Sequence, residues 1–449
     1  MPPVNNRELY EKLRKEFPLF NYNSYNFTLG DRYINLEFEF ELSPELIFRP
    51  RSRIIIPQNL PFFKDHQLVD NIVFNIGLIE LISYWKATCS PTIKIKAGSL
   101  TNSQVQWWKK LYYHGLGEFL YLNSLKVSPD ELMSIQSVGE IHKLTTADLT
   151  DDYIVPVGGG KDSAVTLELL NSNGFKASPL IMNPRGATIE TVTAAGLPTN
   201  EIIVIERSID PLLLDLNAKG FLNGHTPFSA MLAFYSLAVA ALTGIKNIAL
   251  SNESSANEAT IPGTGINHQY SKSFEFEKDF RNYYKEFISP GINYFSFLRP
   301  LSELQIMSLF SDMTKYHSVF KSCNVGSKIN EWCGSCPKCL FTHIMLSAFK
   351  GVDYADKIIG KPMLNEIGNK NHFEELSGIS DIKPFECVGT INDVNKALRM
   401  IIENSGDSLP LLVELYKKHA QYNNVDLTEE STTHFLNSTQ WEIIKKALN

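Results

Sequence analysis

Cysteine is scarce in this sequence, with 6 cysteines in 449 residues, and four of them lie between positions 323 and 339. Secreted domains that depend on disulfides are much richer in cysteine, so a disulfide framework is excluded. The first residues also lack an apolar signal core, because Leu9, Leu13 and Phe17 instead have the spacing of a charged amphipathic helix. We therefore expect a cytoplasmic protein in a reducing compartment.

The sequence has neither an excess of basic residues nor a long, strongly apolar run. Its 42 lysines and arginines are outnumbered by 49 aspartates and glutamates, and the net charge of -7 argues against a nucleic-acid-binding surface as the main function. The longest uncharged run, residues 226–245, approaches the length of a membrane span but contains Pro227 and several serines and threonines. We interpret it as a helix buried in an α/β domain, and expect neither a membrane nor a nucleic acid as a partner.

The remaining composition, 43% hydrophobic and 20% charged, is typical of a globular protein. A chain of this length usually divides into several cores, so we expect a strand-rich mixed α/β substrate-binding domain over residues 1–150, a catalytic domain over 151–350 and a helical region over 351–449. In the first domain the hydrophobic periodicity predicts strands at residues 33–42, 54–56 and 93–96, and helices at 77–87 and 105–113.

After residue 150 the pattern changes to alternating strands and helices. Strands are predicted at residues 153–157, 177–182, 201–205 and 247–250, and helices at 163–173, 188–195, 211–218 and 228–242. Such alternation is typical of an α/β fold with a doubly wound parallel sheet, which binds its ligand at the carboxyl ends of the strands.

The most informative segment lies at one of these strand ends, and we call residues 158–163 the glycine loop. It consists of Gly158, Gly159, Gly160, Lys161, Asp162 and Ser163. Glycines allow a sharp turn and a close approach of backbone N–H groups, and the following helix N-terminus adds positive potential, so the loop suits a polyphosphate. Its spacing differs from that of the Walker motif. The alternative is a strand-to-helix turn without a ligand.

The glycine loop resembles the PP-loop, Ser-Gly-Gly-x-Asp-Ser, of enzymes that split ATP into AMP and pyrophosphate, with Gly158 in the position that is usually Ser. The resemblance implies a sheet of the PP-loop (adenine nucleotide alpha hydrolase-like) type and a requirement for ATP. It also implies that residues 158–163 hold the phosphates and that Lys161 adds a positive charge beside them.

A cysteine cluster with the spacing Cys-x9-Cys-x2-Cys-x2-Cys follows, formed by Cys323, Cys333, Cys336 and Cys339. Four thiolates in a tetrahedron suit Zn²⁺, and a site that leaves no open position for water is structural. We therefore predict a structural zinc site. Buried free thiols are one alternative, and a redox-active Cys-x-x-Cys pair is another that fits four cysteines less well.

A dense polar segment, residues 251–258, follows the fourth strand of the alternating region, so it should lie over the same strand ends as the glycine loop. Its carboxylates Glu253 and Glu258 are candidate Mg²⁺ ligands, because Mg²⁺ prefers carboxylates together with substrate phosphates. A hydrogen-bonded surface loop is the alternative.

The polar segment continues over residues 262–272. His268, Tyr270 and Lys272 alternate there, so an extended segment would place all three side chains on one side. One of them could serve as a general base or acid.

Two broader family resemblances follow. The glycine loop and the downstream cysteine cluster resemble 7-cyano-7-deazaguanine synthase, and Arg299-Pro-Leu-Ser-Glu-Leu304 is similar to the strand-then-helix segment of many PP-loop enzymes, a match over about residues 151–345. Residues 79–86, 107–123, 250–276 and 385–389 carry a longer resemblance, over nearly the whole chain, to the bacterial UDP-N-acetyl-α-D-muramoyl-L-alanyl-L-glutamate epimerases.

The epimerase resemblance implies that the terminal L-glutamate of a peptidoglycan precursor is inverted while ATP is converted to AMP and pyrophosphate. Adenylation would neutralise the carboxylate and acidify the Cα proton, so that a side-chain base could remove it. Asp162, with Glu253 or Glu258, would place Mg²⁺ near the departing pyrophosphate. For proton transfer we expect His268 as the first candidate and Lys272 as the second. The alternative to two bases is a single base that acts on both faces of a planar intermediate.

The resemblance also implies that the first domain holds the nucleotide-sugar end of the substrate. Arg49, Arg51 and Arg53 would neutralise its diphosphate and the tryptophans would stack on uracil, with a solvated charged face as the alternative reading of the arginines. Functional coupling to a muramoyl-L-alanine:L-glutamate ligase is implied as well. The clustered cysteines do not suit proton transfer on two faces, since they would lie on one side and zinc would quench them.

Two other functions compete with this interpretation. One is a different PP-loop enzyme that activates a carboxylate or a base, either like 7-cyano-7-deazaguanine synthase or acting on tRNA. A tRNA enzyme would need a basic surface, which the net charge of -7 does not favour. The other, from a different class, is a non-catalytic protein that binds ATP or presents a zinc knuckle.

Overall fold

The computed structural model describes residues 3–261, 266–380, 382–406, 408–418 and 431–448, and its fold is α/β with a large mixed sheet. Among these residues eleven strands are present: β1 (Leu19–Leu29), β2 (Tyr33–Leu42), β3 (Leu46–Phe48), β4 (Arg51–Ile55), β5 (Thr92–Ile95), β6 (Ser134–Ser137), β7 (Thr150–Pro156), β8 (Ala177–Met182), β9 (Ile203–Arg207), β10 (Ile245–Leu250) and β11 (Asn293–Ser296). The same residues form seventeen α-helices: α1 (Arg7–Glu16), α2 (His66–Trp85), α3 (Asn102–Gly115), α4 (Gly117–Leu122), α5 (Pro129–Leu132), α6 (Lys161–Ser172), α7 (Gly186–Ala194), α8 (Pro211–Ala218), α9 (Phe228–Thr243), α10 (Phe274–Phe287), α11 (Glu303–Asp312), α12 (Pro337–Lys350), α13 (Val352–Ile359), α14 (Lys370–Ser377), α15 (Ile391–Asn404), α16 (Leu411–Lys417) and α17 (Ser438–Leu448).

The chain forms two compact units, each assembled from three separate stretches of sequence. The first comprises Met1–Ile154, Ile202–Ile248 and Gly265–Tyr294, and the second comprises Val155–Glu201, Ala249–Thr264 and Phe295–Asn449. Each unit therefore brings together residues that are distant along the chain.

Antiparallel pairs dominate the strands of the first unit. β2 pairs antiparallel with β1, β3 and β4, while β5 lies parallel to β1 and β6 parallel to β5. Along β2 the apolar side chains of Leu36, Phe38, Phe40 and Leu42 are buried and Glu37 is exposed, which confirms the strand predicted from this alternation. β9 pairs antiparallel with β4. The sheet is therefore mixed. The alternation of strands and helices after residue 150, of which β9 is a part, predicted a parallel sheet instead.

The helices and strands predicted after residue 150 are confirmed. β8 and α8 have the predicted limits, and β7, β9, β10, α6, α7 and α9 differ from them by one to three residues. β7 and β10 pair in parallel. In the second unit the N–H of Val157 donates to the carbonyl of Leu180 at 2.8 Å, directly before the glycine loop. The loop therefore follows the carboxyl end of a strand, as predicted, and the described residues beyond 350 contain helices α13 to α17 and no strand.

α2 is a core helix of the first unit. Asp65 caps it by accepting hydrogen bonds from the N–H groups of Gln67 and Leu68. The helix is long and apolar enough to cross a membrane, but 94% of its most apolar stretch is buried in the protein, as in the core helix of a soluble protein. The sequence predicted only its second half, from Gly77, because a helix that is apolar on every side lacks the period of an amphipathic one. It packs against α9, the buried helix predicted from the uncharged run.

A buried ion pair joins α2 to β9. Nε of Arg207 donates to Oε1 of Glu80 at 2.6 Å, and Nη2 donates to Oε2 at 2.7 Å. Only 1% of the Glu80 side chain is exposed, and the Tyr235 hydroxyl lies 3.0 Å from its Oε1. Because a charge removed from water is costly, the Glu80 carboxylate depends on these partners.

We expect Arg207→Ala to lower the free energy of unfolding by about 3–5 kcal/mol, because Glu80 would stay buried without its charge partner. Arg51→Ala is a matched control from the same unit. Arg51 pairs with Glu37 at 2.8 Å, but 68% of its side chain is exposed, so the loss should be small. Thermal and urea unfolding of both variants measure the effect, and equal midpoints would contradict the structural role of the buried pair.

Candidate functional site

Two glycines of the glycine loop have different surroundings. Gly159 has a φ of +80°, and a Cβ there would come within 3.0 Å of the backbone of Ala187 and Thr188, so the turn requires glycine. A Cβ on Gly158 would have no atom within 4 Å. Packing therefore does not account for the glycine at position 158. Open space beside exposed backbone is what a loop that approaches a ligand needs.

The charged residues of the loop lie at the start of α6. Lys161 is 4% exposed and forms ion pairs with Asp162, its neighbour, and with Glu303 of α11. Burial opposes the charge on Lys161, but Asp162, Glu303 and Glu253 outweigh it and raise the pKa of the ammonium group. Ser163 is buried and its hydroxyl donates to the Gly160 carbonyl at 3.1 Å. The structure thus brings together the predicted residues Lys161, Asp162 and Glu253.

Glu303 was missed by the sequence reasoning, although it lies in the segment 299–304 that carries a family resemblance. Its side chain is buried, and burial, opposed by Lys161 and reinforced by Asp162 and Glu253, raises its pKa to about 8. The neighbouring Arg299 is fully buried, and its Nη1 donates to the Glu253 carbonyl at 2.7 Å. Arg299 therefore fixes the backbone that carries Glu253.

The two candidate magnesium carboxylates have different partners. Glu253 is 4% exposed and accepts a hydrogen bond from the Ser255 hydroxyl at 3.1 Å. Glu258 forms an ion pair with Lys383, whose side chain is buried. Glu253 acts electrostatically on Lys161, so of the two it is the carboxylate that belongs to the charged group at the glycine loop. Both remain predicted ligands.

The sulfur atoms of the cysteine cluster converge as the spacing predicted. Each of the four Sγ atoms lies within 4.8 Å of the others. The Sγ atoms of Cys333 and Cys339 are 3.7 Å apart, and those of Cys336 and Cys339 are 3.5 Å apart. Tetrahedral Zn–S bonds of about 2.3 Å place sulfurs roughly 3.8 Å apart, so the donor set fits zinc.

Backbone N–H groups also point at these sulfurs. Sγ of Cys323 accepts hydrogen bonds from the N–H of Gly326 at 3.0 Å and of Cys333 at 3.4 Å. Sγ of Cys336 accepts from the N–H of Cys339 at 3.4 Å, at the N-terminus of α12. Such donors stabilise thiolates, which are the form that binds metal.

A histidine cluster, formed by Glu118, His225 and His268, lies in the first unit. Oε2 of Glu118 contacts Nδ1 of His268 and lies 3.4 Å from Nδ1 of His225. The two imidazole centroids are 4.5 Å apart. Of the three residues the sequence reasoning singled out only His268. The predicted proton-transfer residue Lys272 acts electrostatically on His225 in this cluster.

The segment around His268 is not the extended chain that was expected. His268 lies in a turn, and Tyr270–Lys272 form a 3-10 helix, so alternation does not place the three side chains on one side. Tyr270 is buried, and its ring stacks on His114 with centroids 5.0 Å apart. The expectation was wrong because three polar residues at alternate positions fit a short helix as well as a strand. Residues 262–265 of the predicted polar segment lie outside the described residues.

The arginines and tryptophans that were predicted to bind the nucleotide-sugar end of the substrate contact other residues of the protein. Arg49 and Arg51 pair with glutamates of β2, and Arg53 stacks 3.9 Å from the ring centroid of Tyr33. Trp85 and Trp108 are fully buried in the first unit, so stacking on uracil is wrong for these two tryptophans. Their apolar rings serve the core.

Comparisons with known proteins agree over most of the chain. A family model described as the MurL N-terminal domain matches residues 11–297, and one described as the MurL C-terminal domain matches residues 319–430. The chain belongs to the MurL family.

Three relatives carry the name UDP-N-acetyl-alpha-D-muramoyl-L-alanyl-L-glutamate epimerase. The protein from Salinispora tropica is 33% identical over 409 residues, which cover 88% of this chain and 87% of the relative. That from Xanthomonas oryzae pv. oryzae is 31% identical over 377 residues, 82% of each chain. That from a Micromonospora species is 34% identical over 338 residues, 73% of this chain and 74% of the relative. No solved structure matches the chain.

The MurL-family matches include nearly all of the residues described above. The N-terminal model covers the glycine loop, Glu253 and the histidine cluster, and the C-terminal model covers the cysteine cluster and Lys383. Glu303 lies between the two matched ranges. The glycine loop, the histidine cluster and the cysteine cluster therefore all lie within the ranges that the family models match.

If the cysteine cluster holds zinc, Cys336→Ser should lower both the metal content and the melting temperature, because a closed four-sulfur site contributes to folding. Cys387→Ser is the matched control, since Cys387 also lies in the second unit but outside the cluster. Metal analysis and thermal unfolding of the purified proteins measure the two effects. Metal-free parent protein together with an unchanged melting temperature of Cys336→Ser would refute the zinc prediction.

Proposed function

We propose that this protein is an ATP-dependent epimerase that converts the terminal L-glutamate of UDP-N-acetylmuramoyl-L-Ala-L-Glu to D-glutamate in peptidoglycan biosynthesis. The observation that carries the proposal is the 33% identity, over 88% of the chain, with a relative that bears the epimerase name. We place the reaction in the cytoplasm, next to a ligase that supplies the L-glutamyl substrate.

ATP binding is assigned to the glycine loop, which would act as a PP-loop. Three features support this assignment. The backbone at Gly158 borders open space, Gly159 makes a turn that only glycine tolerates, and α6 begins at Lys161 with its N–H groups available to phosphates. The buried ammonium group of Lys161 would add a fixed positive charge near the phosphates.

The adenylation step follows from the chemistry of the substrate. An oxygen of the glutamate carboxylate attacks the α-phosphorus of ATP, a new P–O bond forms, and pyrophosphate leaves with the electrons of the broken P–O bond. The carboxylate loses its charge, so the electron pair left after removal of the Cα proton can spread into the acyl group. Hydrolysis of the acyl phosphate bond then releases AMP and the inverted product.

Magnesium fits the charges around Lys161. Asp162, Glu253 and Glu303 are three acidic side chains near one ammonium group, and burial, reinforced by Asp162 and Glu253, raises the pKa of Glu303 to about 8. Asp162 and Glu253 would hold the Mg²⁺ ion. The bound ion would neutralise part of the negative charge of the departing pyrophosphate. For removal of the Cα proton we assign His268, oriented by Glu118, and Lys272 stays the second candidate.

The direct test is to incubate the purified protein with ATP, Mg²⁺ and UDP-N-acetylmuramoyl-L-Ala-L-Glu. We expect AMP and D-glutamate in the acid hydrolysate, and deuterium at Cα when the reaction is run in heavy water. ATP binding with neither AMP release nor inversion would instead support a non-catalytic nucleotide-binding protein. Inversion without any nucleotide, or release of ADP, would refute the adenylation mechanism.

We expect Asp162→Ala to reduce substrate-dependent AMP formation by roughly 10²–10³-fold, the loss typical of removing one group that stabilises transition-state charge. The melting temperature should also fall, because Asp162→Ala removes one of the two carboxylates that contact the buried ammonium group of Lys161, so AMP formation is compared at a temperature at which circular dichroism shows both variants folded. Asp312→Ala is the matched control: it also removes an ion-paired aspartate of the second unit, but one whose side chain is 84% exposed. Full activity of Asp162→Ala would remove this carboxylate from the mechanism.

A further inference from the structure

A second stretch of the chain lies against the glycine loop. The N–H of Lys321 donates a hydrogen bond to the Gly159 carbonyl at 2.8 Å. A Cβ on Gly160 would come within 3.0 Å of Oγ of Ser322, so this hydroxyl group lies beside the backbone of the loop. All four residues belong to the second unit. The loop therefore has two neighbours, Lys321 and Ser322, that the sequence reasoning did not connect with it.

The position of Ser322 accounts for the glycine at position 160. Gly160 has a φ of -94° and a ψ of 175°, an extended conformation that any residue can adopt. The backbone conformation therefore does not require glycine at this position. A side chain there would instead displace the Ser322 hydroxyl. The lack of a side chain at Gly160 is what allows this hydroxyl to lie against the loop.

The hydroxyl of Ser322 is available to a ligand. The side chain is half-buried, and no group in the described part of the chain forms a hydrogen bond with its Oγ. A hydroxyl can donate one hydrogen bond and accept two. The hydroxyl of Ser163, which belongs to the loop itself, already donates to the Gly160 carbonyl at 3.1 Å. Of these two serines, Ser322 is the one whose hydrogen is free to bind a ligand.

The residues on either side of Ser322 hold it in place. Lys321 is fixed to Gly159 by its backbone N–H. Cys323 belongs to the cysteine cluster, and its Sγ accepts hydrogen bonds from the N–H groups of Gly326 at 3.0 Å and Cys333 at 3.4 Å. A donor whose position is fixed before the ligand arrives loses less conformational freedom on binding. Ser322 is thus a preorganised donor.

The stretch that follows Cys323 is also joined to α7, the helix whose first turn packs against Gly159. Nη1 of Arg185 donates to Oγ of Ser327 at 3.1 Å, and Nδ2 of Asn330 donates to Oε1 of Glu190 at 3.1 Å. These contacts lie within the second unit. They connect the chain around the cysteine cluster to the glycine loop by a second route, through α7.

Lys321 contacts the loop through its backbone, and its side chain has other partners. Nζ of Lys321 donates to the Ser318 carbonyl at 3.3 Å and lies 6.0 Å from the ring centroid of Trp332. Of the two neighbouring side chains, that of Ser322 is therefore the one that meets the loop.

We propose that Ser322 is a further nucleotide-binding residue, whose hydroxyl donates a hydrogen bond to a phosphate oxygen of ATP at the glycine loop. This inference rests on the proposed ATP-dependent function. Gly158 and Gly159 offer backbone N–H groups but no side-chain donor, and Ser322 adds such a donor from another part of the chain. Because phosphate oxygens are negatively charged, the bond is charge-assisted and stronger than one between neutral groups.

The test is isothermal titration calorimetry of the whole protein with Mg²⁺ and α,β-methylene-ATP, an analogue that cannot be split into AMP and pyrophosphate. Ser322→Ala should raise the Kd by about 10–100-fold, the loss typical of a hydrogen bond to a charged group. Ser322→Thr keeps the hydroxyl, so its Kd should stay within about threefold of the parent. Without nucleotide, Ser322→Ala should melt at the parental temperature, because the lost hydroxyl has no partner in the described part of the protein.

Ser327→Ala is the matched control, because it removes a hydroxyl from the same stretch that contacts Arg185 and not the loop. Its Kd should equal that of the parent. Equal weakening by Ser322→Ala and Ser327→Ala would show that any disturbance of this stretch lowers the affinity, and would overturn the proposal. Parental affinity of Ser322→Ala would overturn it as well, with the ATP site left standing. If the parent protein itself did not bind the analogue, the ATP site at the glycine loop would be refuted, so the two failures are distinguishable.

Discussion

The buried ammonium group of Lys161 is the constraint on which the candidate ATP site depends. Removing an ammonium group from water is costly. Here Asp162 and Glu303 offset the cost by direct contact with Lys161, and Glu253 attracts the ammonium group electrostatically. These carboxylates belong to α6, α11 and the loop after β10. Pairing with one cation therefore ties three parts of the second unit together around the glycine loop, and it leaves an excess of carboxylates at the place where a divalent cation is expected.

Buried charged groups have different roles at two places in the first unit, the Arg207–Glu80 pair and the histidine cluster. Arg207 and Glu80 form a two-point ion pair in the core of the first unit. In the histidine cluster the carboxylate of Glu118 faces two imidazoles, and burial lowers the pKa of one of them, His225, to about 4. The same electrostatic rule thus yields a structural contact in one case and a candidate for proton transfer in the other.

Local patterns predicted those elements whose two faces differ. β2 was predicted to the residue because buried apolar and polar side chains alternate along it, and α8 begins at Pro211, a residue type favoured at the first helical position. α2 was only half predicted because it is buried on all sides and has no polar face to mark its period. The antiparallel pairing of β9 with β4 was not predictable, since strand order depends on partners that lie about 150 residues away.

The sequence by itself determined the residue types and spacings on which the chemistry depends: the glycine loop before a helix, and the cysteine cluster whose two short loops make its sulfurs converge. Both motifs are local, so a few residues contain all the geometry they need. Only the tertiary structure decided that Glu303 joins Lys161 and that His225 and His268 share Glu118. These contacts link residues more than 100 positions apart, and which distant side chains meet is set by the packing of whole elements and not by the neighbours of each residue in the chain.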